Sequence, residues 1–394
     1  MPRQTHDYTA WAEIDLKAIR ANFRALKRLT REKTVEQREA EGLPPRAGAG
    51  HSPGILAVVK ADAYGHGMLT VVDAISALGI DFLGVSEMED GIILRRNGVS
   101  KPVLVFEPPV PAAARKMIDY DLIPTVCTYS LAAALNKHGK DLNRSVPVHI
   151  QIDTGMGRLG IWHTKAIDFI RRVMRLSHLT VQGIYTHFPL ADSNPEFTRR
   201  QVHDLREVVA YLDRSGHVVP YVHGANSLGL GGYETRIFNL VRPGLMLYGL
   251  YPAPQIRQAV KLKPAMTVKA RVTFVKDVKK GRGISYGHSF VADRDMRVAT
   301  LPIGYNDGYM RALSNKSAVL IGGRRCPVVG TVTMDQTMVD VSGVDHVRAG
   351  TEAVILGSQK KAAVTAEELA EHAGTINYEI ICSLGNRLPR VYKG

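Results

Sequence analysis

The chain has 394 residues, 45% of them hydrophobic, which is too long for one ordinary core and predicts two domains. Its formal net charge is +14, but the basic residues come in short pairs such as Arg95-Arg96, Arg171-Arg172 and Lys279-Lys280. With no long basic block and no DNA- or RNA-binding motif, this is a solvated basic surface that attracts small anions, and nucleic acid is excluded as a partner.

In chain order, the first departure from ordinary patterning is the polar segment 31–53, which ends rich in Pro, Gly and Ala. Its start prolongs the preceding helical pattern, and its end is expected to be flexible. It approaches the first strand from the N-terminal end and is predicted to be a dispensable surface insertion. Short apolar runs then follow at 55–59, 82–85, 103–106, 123–126, 146–152, 181–186, 219–223 and 240–241. Amphipathic stretches at 68–78, 87–97, 131–138, 164–176 and 196–213 alternate with them. This alternation predicts an α/β barrel of the (β/α)8 kind. After Lys263-Pro264 the rhythm changes to strands at 267–278, 297–302, 318–321, 327–332, 338–341 and 353–356, with only 366–372 helical. That part reads as a mostly β C-terminal domain.

Lys60 stands at the mouth of the first buried strand, Ile-Leu-Ala-Val-Val. A lysine there is costly to desolvate unless it is paired, neutralised or covalently used. The ordinary reading is a side chain snorkelling from a strand end. A Schiff base to a carbonyl cofactor would instead remove the charge and account for the placement. In a barrel, catalytic groups sit just after strands. Arg158 lies in DTGMGRLG after the fifth strand, and His187 ends the YTHF strand. The loops HGANSLGL and RPGLMLYG follow strands seven and eight, where phosphate sites are frequent. Asn226, Ser227, Gly244 and Leu245 offer a hydroxyl and backbone N–H groups there without bulk.

The motifs WAEIDLKAIRAN, VVKADAYGHG, IDTGMGRLG, YTHF, RPGLMLYG, ISYGHSF, PIGYNDGY, TMDQTMVDV and INYEI span nearly the whole chain. In this order and spacing the sequence resembles the alanine racemases. The resemblance implies a barrel over 14–255 that binds pyridoxal 5'-phosphate, and a β domain over 256–394 that is joined by residues 1–13. It implies head-to-tail homodimers in which the β domain of one subunit completes the other's active site. The reaction implied is interconversion of L- and D-alanine, supplying D-alanine for peptidoglycan.

By the same resemblance, Lys60 carries the cofactor and acts as one base, while Tyr286 of the partner subunit is the opposing base. A free tyrosine titrates at about 10, so Tyr286 needs donors or positive neighbours, and His187 matches the helping position. Arg242 matches the partner of the pyridine nitrogen. A guanidinium gives up no proton, so that nitrogen stays unprotonated and the electron sink is weak. Tyr64, Ser227, Gly244, Leu245 and Tyr378 match phosphate contacts. Arg158 matches a residue that bonds the cofactor's phenolic oxygen and places the substrate carboxylate, with Met334 and Asp335 completing that pocket from the partner. Tyr305 and Tyr378 narrow the approach so that a small side chain fits.

Three positions depart from the family pattern. Gln151 stands where many members carry a carbamylated lysine; its oxygen can accept one bond from Arg158, or an anion takes the vacant place. Thr331 and Thr333 replace Arg and Cys near the approach, which bears on substrate breadth. The alternatives are a broader amino-acid racemase, a decarboxylase on the same barrel, and a non-catalytic cofactor carrier. Arg242 and Thr333 argue against the decarboxylase, and a β domain bearing Tyr286 argues against the carrier. No secretory signal is apparent in MPRQTHDYTAWAEIDL, and no apolar run approaches the roughly 18 residues of a membrane span. The three cysteines are scattered and suggest neither a disulfide framework nor a metal site. A cytoplasmic location is expected.

Overall fold

A computed structural model describes residues 8–39, 53–224, 237–384 and 387–394. Strand β1 (Ala10–Asp15) leads directly into the helix Leu16–Glu39, so the start of the polar segment does prolong that helix. Residues 40–52 of the expected insertion lie outside the described residues.

The next strands are β2 (Gly54–Val58), β3 (Phe82–Val85), β4 (Val103–Val105), β5 (Ile123–Val126) and β6 (Val146–Asp153). They continue with β7 (Ile161–Trp162), β8 (Leu179–Tyr185), β9 (Tyr221–His223) and β10 (Leu240–Val241). Their order is β10-β2-β3-β4-β5-β6-β8-β9, with every neighbour parallel and β7 attached to β6. Asn239 brings the two ends together. Its backbone N–H donates to Val222 O at 3.0 Å and its side chain accepts the Val222 N–H at 2.8 Å. The result is a nearly closed eight-stranded barrel with helices around it. The strands are buried on both sides, which is why they read as continuous apolar runs rather than alternating ones.

The helices follow local rules. In Pro195–Arg214 the Asn194 side chain accepts the Phe197 N–H at 3.0 Å, proline occupies the first turn, and Val202, Leu205, Val209 and Leu212 face the barrel. Among the described residues no helix is long and apolar enough to cross a membrane.

The C-terminal part contains β11 (Met266–Arg271), β12 (Phe274–Val278), β13 (Gly283–Ile284), β14 (Phe290–Val291), β15 (Met296–Leu301) and β16 (Ala318–Ile321). It ends with β17 (Arg324–Pro327), β18 (Thr337–Asp340), β19 (Glu352–Gln359), β20 (Ala362–Val364) and β21 (Arg390–Lys393). One sheet runs β17-β16-β19-β11-β1-β21, so the N-terminal strand lies between the first and last strands of the C-terminal part. A three-stranded sheet, β12-β15-β18, and the hairpin β13-β14 stand apart from it.

The expected strand at 267–278 is in fact two. The chain turns at Val272-Thr273 and changes sheets, a corner that unbroken β-propensity hides. The strand expected at 327–332 instead starts at Arg324, straight after Gly322-Gly323. Both glycines have positive φ (62° and 84°), as a two-residue hairpin loop requires. A second helix, Asn377–Ser383, occupies a stretch that sequence reading left unassigned. Its short, isoleucine-rich sequence carries no helical period of useful length. One apolar core runs from the barrel strands through the first helix to the large sheet. A smaller cluster of Ile284, Ala292, Met296, Val298 and Val329 underlies the three-stranded sheet.

Candidate active site

Lys60 leaves the C-terminal end of β2 and opens an unusual turn. Ala61, Asp62, Ala63 and Tyr64 are all left-handed, with φ of 52°, 52°, 56° and 52°. None is glycine, and each such residue costs about 1–2 kcal/mol. Such a turn persists only where its surroundings hold it. Val59 O accepts the Ala63 N–H at 2.8 Å, and the His66 ring stacks on Tyr248 with centroids 4.5 Å apart. His66 Nδ1 lies 2.9 Å from Tyr64 O and 3.1 Å from Ala63 O. Since carbonyls only accept, that nitrogen carries the proton. Burial holds His66 down to about 4, so it stays neutral.

A cavity of about 890 Å³ opens in front of this turn. Its wall includes Lys60, Tyr64, Arg158, His187 and Arg242. Gly244, Leu245, Tyr378 and Cys382 line it as well. Burial is the main cause that lowers the Lys60 amine below its ordinary value, and the nearby Arg158 and Arg242 guanidiniums add to it. The DTGMG turn that carries Arg158 is built on Asp153. Its carboxylate accepts N–H bonds from Gly155, Met156 and Gly157 at 2.8–3.2 Å. Asn226 and Ser227 lie outside the described residues.

Arg242 is 4% exposed, and its contacts orient everything around it. Nη2 donates to Thr186 O at 2.7 Å and Gly224 O at 3.2 Å, and lies 3.4 Å from His187 Nδ1. Nη1 lies 3.2 Å from His223 Nδ1, and the guanidinium carbon sits 5.0 Å above the Tyr185 ring centroid. Burial lowers Arg242 to about 10, which leaves it charged at neutral pH. An arginine has donors only. His223 Nδ1 must therefore accept, so its Nε2 carries the proton and donates to His149 Nδ1 at 2.9 Å. His187 Nδ1 accepts likewise, which puts the proton of His187 on Nε2. Burial first, and then Arg242, Arg158 and Lys60, push His187 down to about 3, so the ring is neutral.

Tyr64 packs 5.0 Å from Tyr248 and 6.1 Å from Tyr378, ring to ring. Burial raises the Tyr64 phenol well above its ordinary value and Tyr378 to about 12, so both remain hydrogen-bond donors. A Cβ on Gly244 would lie 2.6 Å from Tyr64 Oη, so the recess beside that hydroxyl exists only because residue 244 is glycine. Gln151 differs from expectation. Its oxygen accepts from Tyr185 Oη at 3.1 Å, where Arg158 was the expected donor, and Tyr185 Oη in turn pairs with Thr125 Oγ1 at 2.8 Å.

Within one chain, Tyr286, Tyr305, Met334 and Asp335 are not brought to this cavity. They sit on the β domain, where Tyr286 is 73%, Met334 53% and Tyr305 43% exposed. Tyr286 borders a separate hollow of about 840 Å³ with Lys276, Lys279, Arg282 and Thr333. The backbone before it is strained, with Ser285 at φ 64°, ψ −173°. Ser285 Oγ donates to Thr331 O at 2.6 Å and Thr331 Oγ1 donates to Tyr286 O at 3.0 Å. Thr331, expected near the approach, is thus a buried tie that holds the Tyr286 loop.

Sequence reading missed His149, His223, Tyr185 and Cys382. One signal was present: before its terminal Asp153, the strand is apolar except for His149 and Gln151 at alternate positions, which puts both on one face.

Comparison with known proteins agrees with this architecture. Family models described as alanine racemase, N-terminal domain, and alanine racemase, C-terminal domain, match residues 46–252 and 265–392. The alanine racemase of Symbiobacterium thermophilum is 43% identical over 386 residues, covering 98% of this chain and 97% of its own. That of Halothermothrix orenii is 39% identical over 384 residues, covering 97% and 96%. The solved alanine racemase of Clostridium difficile 630 superposes with a TM-score of 0.87 at 32% identity, covering 98% of this chain and 96% of that one. A Bacillus anthracis alanine racemase with bound L-Ala-P gives 0.85 at 32%, covering 100% and 96%. On these matches, nearly full-length in both chains, the protein belongs to the alanine racemase family.

Proposed function

We propose that this protein interconverts L- and D-alanine with pyridoxal phosphate at the Lys60 cavity, in the cytoplasm, supplying D-alanine for peptidoglycan. The observation that carries the reading is the donor set of one cavity: a lysine amine of lowered basicity, a buried guanidinium, and two neutral phenols beside a recess only glycine permits. That set fits the cofactor. Lys60 would hold its aldehyde carbon, Arg242 would face its pyridine nitrogen, and Tyr64, Tyr378, Gly244 and Leu245 would hold its phosphate, together with Asn226 and Ser227. When bound, the cofactor supplies an electron sink for the carbon next to the substrate nitrogen.

The residues of the chain then supply the stereochemistry. Inversion needs a proton removed from Cα on one face and returned on the other, so two acid–base groups must face each other. Lys60 takes the proton of D-alanine and Tyr286 of the partner subunit takes that of L-alanine. Arg242 cannot hand over a proton, which limits charge delocalisation and favours return of the proton to Cα. Arg158 pairs with the substrate carboxylate, helped by Met334 and Asp335 from the partner, and Tyr305 and Tyr378 limit side-chain size. We place the division between the two domains at 255/256, with residues 1–13 joining the second.

The head-to-tail dimer is supported by a separation: Tyr286 is exposed on the β domain and outside its own chain's cavity. Mixing Lys60→Ala chains with Tyr286→Phe chains tests it. A mixed dimer has one doubly altered site and one intact site, so random mixing should restore about one quarter of the parent rate from two inactive parents. No recovery after verified subunit exchange would refute the shared site. A coupled D-alanine assay with L-alanine and other L-amino acids tests the reaction itself. Comparable turnover of serine, lysine or arginine would favour the broader racemase, and none at all the cofactor carrier.

A further inference from the structure

The left-handed turn that begins at Lys60 is held from a distant part of the chain. β21 pairs in parallel with β1, with Ala12 opposite Arg390 and Ile14 opposite Tyr392. Alternate residues of a strand share a face, and here Arg390 and Tyr392 both point at the turn. Arg390 Nη2 forms an ion pair with Asp62 Oδ2 at 2.8 Å, and Arg390 Nε donates to Gly65 O at 3.0 Å. The other carboxylate oxygen, Asp62 Oδ1, accepts the Met68 N–H at 2.7 Å. Any side chain on Gly67 would run into the Tyr392 hydroxyl. One guanidinium thus spans a strained turn whose four left-handed residues include no glycine.

We propose that Arg390 is a positioning residue for Lys60: from the β domain it clamps the left-handed turn through Asp62 and Gly65, and so fixes the lysine and Tyr64 toward the cofactor. This rests on Lys60 being the cofactor lysine. The clamp makes cofactor affinity depend on the last strand of the chain, which touches no part of the cavity. It also makes two charged residues, far apart in sequence, act as one unit.

The test uses full-length protein equilibrated with graded pyridoxal phosphate, together with amide hydrogen exchange over residues 61–67. Asp62→Asn keeps the acceptor for Met68 but loses the ion pair, and Arg390→Gln loses both clamp contacts. Arg390→Gln should weaken pyridoxal phosphate binding about tenfold and speed exchange at 61–67. Asp62→Asn should do the same to a smaller extent, and the double variant should be no worse than Arg390→Gln alone. Arg390→Lys should fall between, since an ammonium can meet Asp62 but cannot also reach Gly65 with fixed geometry. Cofactor affinity within about twofold of the parent in both single variants would overturn the proposal, as would faster exchange without weaker binding. If Arg390→Gln does not fold, Asp62→Asn decides by the same two readouts. A parent chain that took up no pyridoxal phosphate at Lys60 would refute the cofactor reading, and the clamp would then be judged on the exchange rates alone.

Discussion

Mild acid should destabilise this protein, because four histidines, His66, His149, His187 and His223, are held without charge. His66 is 1% exposed, and His149 and His223 are 0%. Burial holds His66 at about 4; burial, with Arg242 adding to it, holds His149 and His187 at about 3 and His223 well below its ordinary value. In the unfolded chain each titrates at about 6.5. The folded values lie below the unfolded one, so as pH falls the unfolded chain takes up protons first. Stability is therefore complete above about pH 6.5 and is lost progressively below it, down to the folded values. From pH 7 to about 5.5 each histidine costs about 1.2 kcal/mol, and the four together about 5. That is a large share of the roughly 5–15 kcal/mol that holds a typical domain. The assay is the urea midpoint of cofactor-stripped protein across this range, at one fixed concentration because subunit association shifts it. Linkage should approach about four protons per chain near the lower end, and His149→Gln should remove about one of them. A slope below one proton per chain would refute the assignment of neutral, directed histidines behind Arg242.

Three further outcomes follow from the site. Gly244→Ala should weaken pyridoxal phosphate binding about tenfold or more, since its Cβ would crowd the Tyr64 hydroxyl at the edge of the cavity; unchanged binding in a titration would remove the recess from the argument. Thr331→Val should lower kcat about tenfold while leaving cofactor affinity alone, because it frees the backbone carbonyl of Tyr286, and an effect on affinity alone would contradict that tie. Tyr286→Phe should slow exchange of the Cα proton of L-alanine far more than that of D-alanine, and equal slowing in a proton-exchange experiment would reverse the assignment of the two bases.

The local signals in this sequence were strong enough to set its architecture. Eight apolar runs separated by helical stretches describe a barrel because each run is buried on both faces, and burial leaves a composition that can be read without coordinates. Lys60 stood out for a related reason: a charged group at the end of a buried strand needs a partner or a chemical use. Arg158, His187 and Arg242 were legible because a barrel gathers its strand ends at one face. Other features belong only to the folded chain. No pattern in VVKADAYGHG announces four left-handed residues without glycine, because their strain is sustained by contacts such as Arg390, more than 300 positions away. The directed line from Arg242 through His223 to His149 joins residues from three separate segments, and it orders protons only once the barrel brings them together. Tyr286 lies on the β domain and outside the cavity, and sequence spacing cannot express that separation. Period and composition report what a residue's own element demands; which distant side chain meets it is decided by tertiary packing.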